Sequence, residues 1–182
     1  EMIKDAYSMG ADEGVIMSDR KFAGADVLAT SYALAQGIDL LGGADLIICG
    51  KQTTDGDTAQ VGPAIAEHLG IPHAAWVAEI VKADQKSVCV RQDLVSVTQV
   101  SRLPYPCLIT VDKDICVPRL PSYRLKKATA GRSVRIISFD DLKDHDLSRY
   151  GLVGSPTSVE RIFAPPEAEK QVYLEGDAAE KT

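Results

Sequence analysis

An α/β fold built on a mainly parallel sheet is what this sequence predicts, and three features predict it. Helix-like and strand-like stretches alternate over the first 70 residues. Within them, an apolar run from Leu46 to Cys49 passes through a polar turn into apolar residues at helical spacing, the repeating unit of α/β sheets. After Pro72 the pattern changes to short β-rich runs with polar alternation, which reads as an antiparallel addition to the sheet.

Each element has its own justification. Residues 2–9 form the end of a helix, with Ile3, Ala6 and Tyr7 on one side and Gly10 as its stop. Val15, Ile16 and Met17 form a short buried strand, and the stretch SDRKFAGAD is a turn that ends in the capping residue Asp26. Residues 27–41 are a helix whose apolar face uses Val27 or Leu28, Ser31, Leu34, Ala35, Ile38 and Leu41. After the Leu46–Cys49 strand, Val61, Ile65, Ala66 and Leu69 mark the next helix, closed by Gly70 and Pro72. Residues 74–81, 87–93 and 95–102 are a three-stranded meander, and 107–111 a buried strand. Pro118 and Pro121 hold Arg119 on a stiff, extended segment, where it is a candidate anion contact within the basic region of the chain. Ser122 caps a short helix over 123–130, and 134–138 is a last strand. From Asp140 onward little core is expected, and the scattered Ile, Phe and Tyr read as an arm laid on another subunit.

Totals narrow the function. With 182 residues the chain suits one domain plus an extension, and 45% hydrophobic content is ordinary for a globular protein. The net charge of −6 argues against nucleic acid as a partner. No apolar run approaches the roughly 20 residues that span a bilayer, so membrane insertion is not expected. Cys49, Cys89, Cys107 and Cys116 are widely spaced and the 3 histidines are scattered, which leads to reduced thiols, a cytoplasmic setting, no metal site and no hydrolytic triad. The chain starts at Glu1 inside a helical pattern. It stops just after Asp177 and Glu180, whose spacing is that of a capping box, so both ends are expected to be cut from a longer protein.

The stretch GKQTTDGDTAQVG, residues 50–62, is the candidate site. It follows the carboxyl end of a strand and opens a helix, where unpaired N–H groups favour an anion. Gly56 and Gly62 are expected to let backbone approach a ligand. The pattern meets neither standard phosphate-loop fingerprint. From the residues alone, a turn that only caps its helix and a loop that cradles nucleotide phosphates both remain open, and Asp55 and Asp57 would repel phosphate unless engaged elsewhere.

Four stretches together resemble the beta subunit of electron-transferring flavoproteins. They are DRKFAGAD with LATSYALA, GKQTTDGDTAQVGP, VDKDICVPRLPSYRLKKAT and YGLVGSPTSVERIF, and in this order they span nearly the whole chain. The resemblance implies a fold of the adenine nucleotide alpha hydrolase type, with helices on both faces of the sheet. Residues 1–140 would be a nucleotide-binding domain and 141–182 an arm docked on an alpha subunit. Gly50, Lys51, Gln52, Thr53, Thr54, Asp55, Gly56, Asp57, Thr58, Ala59, Gln60 and Val61 would line a bound nucleotide, with backbone N–H groups of 58–61 as donors and Asp57 fixing the loop. Asp19, Arg20 and Phe22 are further candidates beside it, and Arg119 would steady charge on a reduced flavin. The cofactor would be FAD or, alternatively, AMP, and the partners the alpha subunit and an acyl-CoA or related dehydrogenase. DGDTAQVG, PRLPSYR and GSPTSVERIF look more like the electron-bifurcating branch, in which NADH is the donor. The family's first strand and Asn-Pro loop would precede Glu1. Cys116-Val117 stands where the family has Asn-Glu, which puts a carboxylate role there in doubt. The alternatives are a beta subunit that only holds AMP, and an adenylate-binding module unrelated to electron transfer.

Overall fold

A computed structural model describes residues 1–163. The elements run α1 (Met2–Met9), β1 (Val15–Met17), α2 (Val27–Leu40), β2 (Leu46–Gly50), α3 (Val61–Leu69), β3 (His73–Ala83), β4 (Ser87–Leu94), β5 (Val97–Pro104), β6 (Cys107–Val111), α4 (Tyr123–Thr129) and β7 (Arg135–Ile137). The class is α/β, as expected, with a mixed main sheet in the order β2-β6-β3-β4-β5. In it β2, β6 and β3 are parallel, while β3, β4 and β5 form an antiparallel meander. The first strand departs from the single expected sheet: β1 pairs with β7 in a separate parallel ribbon.

The apolar runs explain the main sheet. Cys107, Leu108 and Ile109 are fully buried in β6, flanked by β2 on one side and β3 on the other. On β4, Val88, Val90 and Gln92 face inward in strict alternation. Gln92 is affordable there because its amide donates to the Ala75 carbonyl at 2.7 Å and accepts from the Ser101 hydroxyl at 3.0 Å. The meander's last strand starts at Val97, not Val95. Leu94 pairs with Val97 across a two-residue hairpin, leaving Val95 97% exposed at its tip.

Helix α2 corrects the expected apolar face. Ser31 and Ala35 are buried as expected and Leu34 and Ile38 partly so, but Leu28 and Leu41 are exposed, and Ala29, Tyr32, Ala33 and Gly37 complete the buried side. Small residues let neighbours come close: a Cβ at Gly37 would stand 2.3 Å from the Met17 sulfur of β1. Helix α3 uses Ile65 and Ala66 against Ala35 and Leu108, as its spacing predicts. Gly10 and Gly70 close α1 and α3 in left-handed conformation. No helix among the described residues is long and apolar enough to cross a membrane.

The expectation of little core after Asp140 is also corrected. Leu142 is 3% and Tyr150 1% exposed, in a cluster with Tyr32, Ile137 and Phe139. Tyr150 sits edge-on to Tyr32 and Phe139 at ring distances of 5.3 and 5.0 Å. Sequence spacing hid this because the aromatic anchor stands alone in a polar segment and its partners come from α2 and the stretch after β7. The rest of the expected arm, residues 164–182, lies outside the described residues.

One glycine tests how α3 meets the sheet. A Cβ at Gly62 would stand 2.4 Å from Thr110 Cγ2 of β6, whereas one at Gly131 meets nothing. Gly62→Ala is expected to lower stability by about 1–3 kcal/mol through overpacking. Gly131→Ala should leave it unchanged or slightly raised. Urea unfolding of both variants checks this, and equal midpoints would contradict the close contact.

Candidate functional site

The loop after β2 continues the sheet for one residue, with Lys51 N–H donating to the Val111 carbonyl at 2.9 Å. It then folds on itself. Asp57 N–H donates to the Thr53 carbonyl at 3.2 Å. Gly56 N–H donates to Asp55 Oδ1 at 2.8 Å, with Thr53 Oγ1 at 3.3 Å. Asp55, rather than the expected Asp57, is thus the carboxylate that fixes the turn. Hydrogen bonds from the Thr53 hydroxyl and the Gly56 N–H hold its carboxyl below the ordinary value. Asp57 and Ala59 have φ of 49° and 54°, the left-handed region. For residues with a Cβ this costs on the order of 1 kcal/mol each.

This backbone path leads into α3 without a cap. Gln60 holds the N-cap position but its side chain makes no capping hydrogen bond. The N–H groups of Thr58, Ala59, Gln60, Val61 and Gly62 find no acceptor among the described residues. Pro63, in the first turn, has no N–H to leave open. A row of unsatisfied amides at a helix start favours an anion by charge and by geometry. Gly62 serves it indirectly: contrary to expectation, its missing side chain makes room for Thr110 and not for a ligand.

The predicted site residues divide between two clefts. Thr53, Asp55, Gly56, Thr58, Gln60 and Val61 line a cleft of about 760 Å³, within the range of ligand pockets. Gly50, Lys51, Gln52 and Thr54 face a second one of about 560 Å³, with Val111, Asp112 and Lys113. Asp57 and Ala59 line neither. In the second cleft Lys51 Nζ lies 3.0 Å from Asp112 Oδ2 and 4.9 Å from the centre of the Trp76 ring. The Lys51 ammonium, through its hydrogen bond, holds the Asp112 carboxyl low. Trp76 itself has φ 60°, and its N–H donates to Thr110 Oγ1 at 3.0 Å.

The opposite wall of the larger cleft was not foreseen. It comes from Ala25 to Leu28, Thr30 and, from the far end of the chain, Thr157. Asp26 organises this wall. Its Oδ1 accepts from the N–H groups of Leu28 and Ala29 at 2.9 and 3.2 Å. Its Oδ2 accepts from the Thr157 N–H and hydroxyl at 3.2 and 2.9 Å. Partial desolvation pushes this carboxyl up, but the hydrogen bonds from Ala29, Thr157 and Leu28 outweigh it and leave it below its ordinary value. The signal for Asp26 as a cap was in the sequence; nothing local marked Thr157.

Other candidates have structural places. Asp19 accepts from the N–H groups of Lys21 and Phe139 at 2.9 and 3.1 Å, and so joins the first turn to the stretch after β7. Phe22 packs on Phe139 and Tyr150, and Arg20 opens the short helical turn Arg20–Phe22. Arg119 lies over Gly10 at the end of α1, its Nη1 3.3 Å from where a Cβ would stand. None of these four lines either cleft. All four cysteines are free, Cys107 buried and Cys116 exposed.

Comparison with known proteins adds an independent line. The profile of the Electron transfer flavoprotein domain matches residues 1–143. The chain is 40% identical over 173 residues to the electron transfer flavoprotein subunit beta of Megasphaera elsdenii, covering 92% of this chain and 63% of that protein. To the subunit of the same name from Clostridium acetobutylicum it is 40% identical over 177 residues, covering 97% of this chain and 65% of that one. To the acryloyl-CoA reductase electron transfer subunit gamma of Anaerotignum propionicum it is 38% identical over 186 residues, covering 99% and 69%. The chain thus spans less than two thirds of the length of the first two relatives.

The Asp26 cap has a pH signature. Asp26→Ala should cost about 1 kcal/mol at pH 7, the usual worth of an N-cap. The folded chain holds this carboxyl below the ordinary 3.8. The linked stability is therefore complete above that value and is lost as pH falls through the folded-state value. Urea unfolding should show a wild-type advantage at pH 7 that shrinks by pH 3; a gap independent of pH would contradict it.

Proposed function

The chain belongs to the electron transfer flavoprotein domain family, and from that membership we propose that it is a beta-type subunit that holds an adenine nucleotide, FAD or AMP, in an electron carrier. The observation that carries this is the row of open amides at 58–62, just after the carboxyl end of β2, of which Thr58, Gln60 and Val61 line a cleft of about 760 Å³. Donor chemistry of this kind suits a phosphate. Thr58 adds a hydroxyl on the same side, while that of Thr53 is spent on Asp55 and Gly56. Gln60 brings a side-chain amide that can turn toward a ligand because it is not spent on capping.

FAD, when bound, takes up two electrons and can release them one at a time. The part played by this chain is positioning. It fixes the phosphate end with rigid backbone, keeps the carboxylates of Asp26 and Asp55 turned onto N–H groups of the protein, and closes the cleft from the α2 side with Leu28. An alpha subunit is the proposed partner, and an acyl-CoA or related dehydrogenase the proposed exchange partner. The naming of one relative as an electron transfer subunit of acryloyl-CoA reductase supports that class. In the bifurcating form of the proposal, NADH is the donor and the nucleotide is FAD. In the second reading the same cleft holds AMP and serves only to support the assembly.

Nucleotide release separates these readings. The full-length protein, purified with its partner subunit, is denatured and its FAD and AMP counted by chromatography. Two FAD and no AMP per pair is the result expected for the bifurcating form, one FAD with one AMP for the supporting role. Neither nucleotide would overturn the proposal. Gln60→Glu, which places a carboxylate among the open amides, should lower bound nucleotide about tenfold or more. Because a negative charge at a helix start favours the helix, the melting temperature should hold or rise. Unchanged nucleotide content would move the phosphate away from α3.

A further inference from the structure

Residues 151–157 return from the far end of the chain and are stitched to the stretch that leads into α2. Gly151, at φ 55°, lies so close to Lys21 that a Cβ would stand 2.3 Å from its carbonyl oxygen. Leu152 N–H donates to the Ala23 carbonyl at 3.0 Å. The Ser155 hydroxyl donates to the Gly151 carbonyl at 2.7 Å and accepts from Asp26 N–H at 2.8 Å. Thr157 then gives both its N–H and its hydroxyl to Asp26 Oδ2. Asp26 and Thr157 both line the larger cleft.

The consequence is electrostatic. Helix α2 needs only Oδ1 of Asp26 for its cap. Without Thr157, Oδ2 would be an ionised acceptor on the cleft wall, where it would repel any phosphate held by the amides of α3. With Thr157 in place both oxygens are occupied by donors of the protein, so the charge is spread over fixed hydrogen bonds and the wall holds one shape.

We propose that Thr157 is a positioning residue for nucleotide binding: it occupies Asp26 Oδ2, fixes the α2 wall of the cleft and thereby sets affinity for the phosphate group. The proposal rests on the reading of this cleft as a nucleotide site. It adds that the C-terminal stretch is a working part of that site and not only a tether to a partner.

The test uses the full-length protein with its bound nucleotide removed, titrated with AMP by calorimetry. Thr157→Val keeps the shape and loses the hydroxyl; Thr157→Ser keeps the hydroxyl. Loss of one hydrogen bond to a charged group should weaken AMP binding about tenfold in Thr157→Val, with Thr157→Ser restored to near the wild-type value. Thermal melting of each variant keeps a folding defect from passing as a binding defect, and Ser155→Ala, which breaks the stitch one step earlier, should weaken AMP in the same direction. Equal AMP affinity in wild type and Thr157→Val, or equal weakening in the Val and Ser variants, would overturn the positioning role. A wild type that binds neither AMP nor FAD would overturn the underlying nucleotide reading as well, and is told apart by that control alone.

Discussion

The contact between Gly62 and Thr110 sets the geometry on which the candidate site depends. It lets the first turn of α3 press onto β6, the strand that lies between β2 and β3. A helix start held there cannot retreat from the carboxyl ends of the strands. Its open amides are thus fixed by steric fit from below, and not by a capping side chain that a ligand would have to displace. The left-handed residues Asp57 and Ala59 belong to the same constraint: the chain must turn sharply to climb from the end of β2 to the start of α3, and it does so without glycine at either position.

Much of this was legible in the sequence because it depends on local pattern. The β-branched run of β6, the alternation of Val88 and Val90, the spacing of Val61, Ile65, Ala66 and Leu69, and the caps at Asp26 and Ser122 all act within a few residues of themselves. The loop 50–61 could be singled out for the same reason, since strand, polar turn and helix follow one another. What pattern could not supply was the division of that loop between two clefts. Side chains on opposite sides of a turn read identically in one dimension, and only the tertiary placement of Lys51 on Asp112 and Trp76 separates them.

The misses share a cause. Tyr150 in the core, Thr157 on Asp26 and the small-residue face of α2 all depend on pairs far apart in sequence. Isolated aromatics and threonines in a polar segment carry no period, so they read as an exposed arm until their partners are seen. Gly62 was read correctly as a point of close approach, but the approaching group is a methyl of the protein's own sheet.

An acidic chain with a net charge of −6 is at first sight a poor host for a phosphate. Charge at a distance matters little, since salt screens it within about 10 Å. What matters is the first layer of atoms around the ligand. There the chain offers backbone amides, and the two carboxylates that line the same cleft, on Asp55 and Asp26, are already engaged: one with Gly56, the other with α2 and Thr157. Each carboxylate that caps or staples backbone is stabilised in its ionised form by those same bonds. The bonds that keep these groups charged also occupy their oxygens with donors of the protein, which is what the proposed anion site requires of an acidic lining.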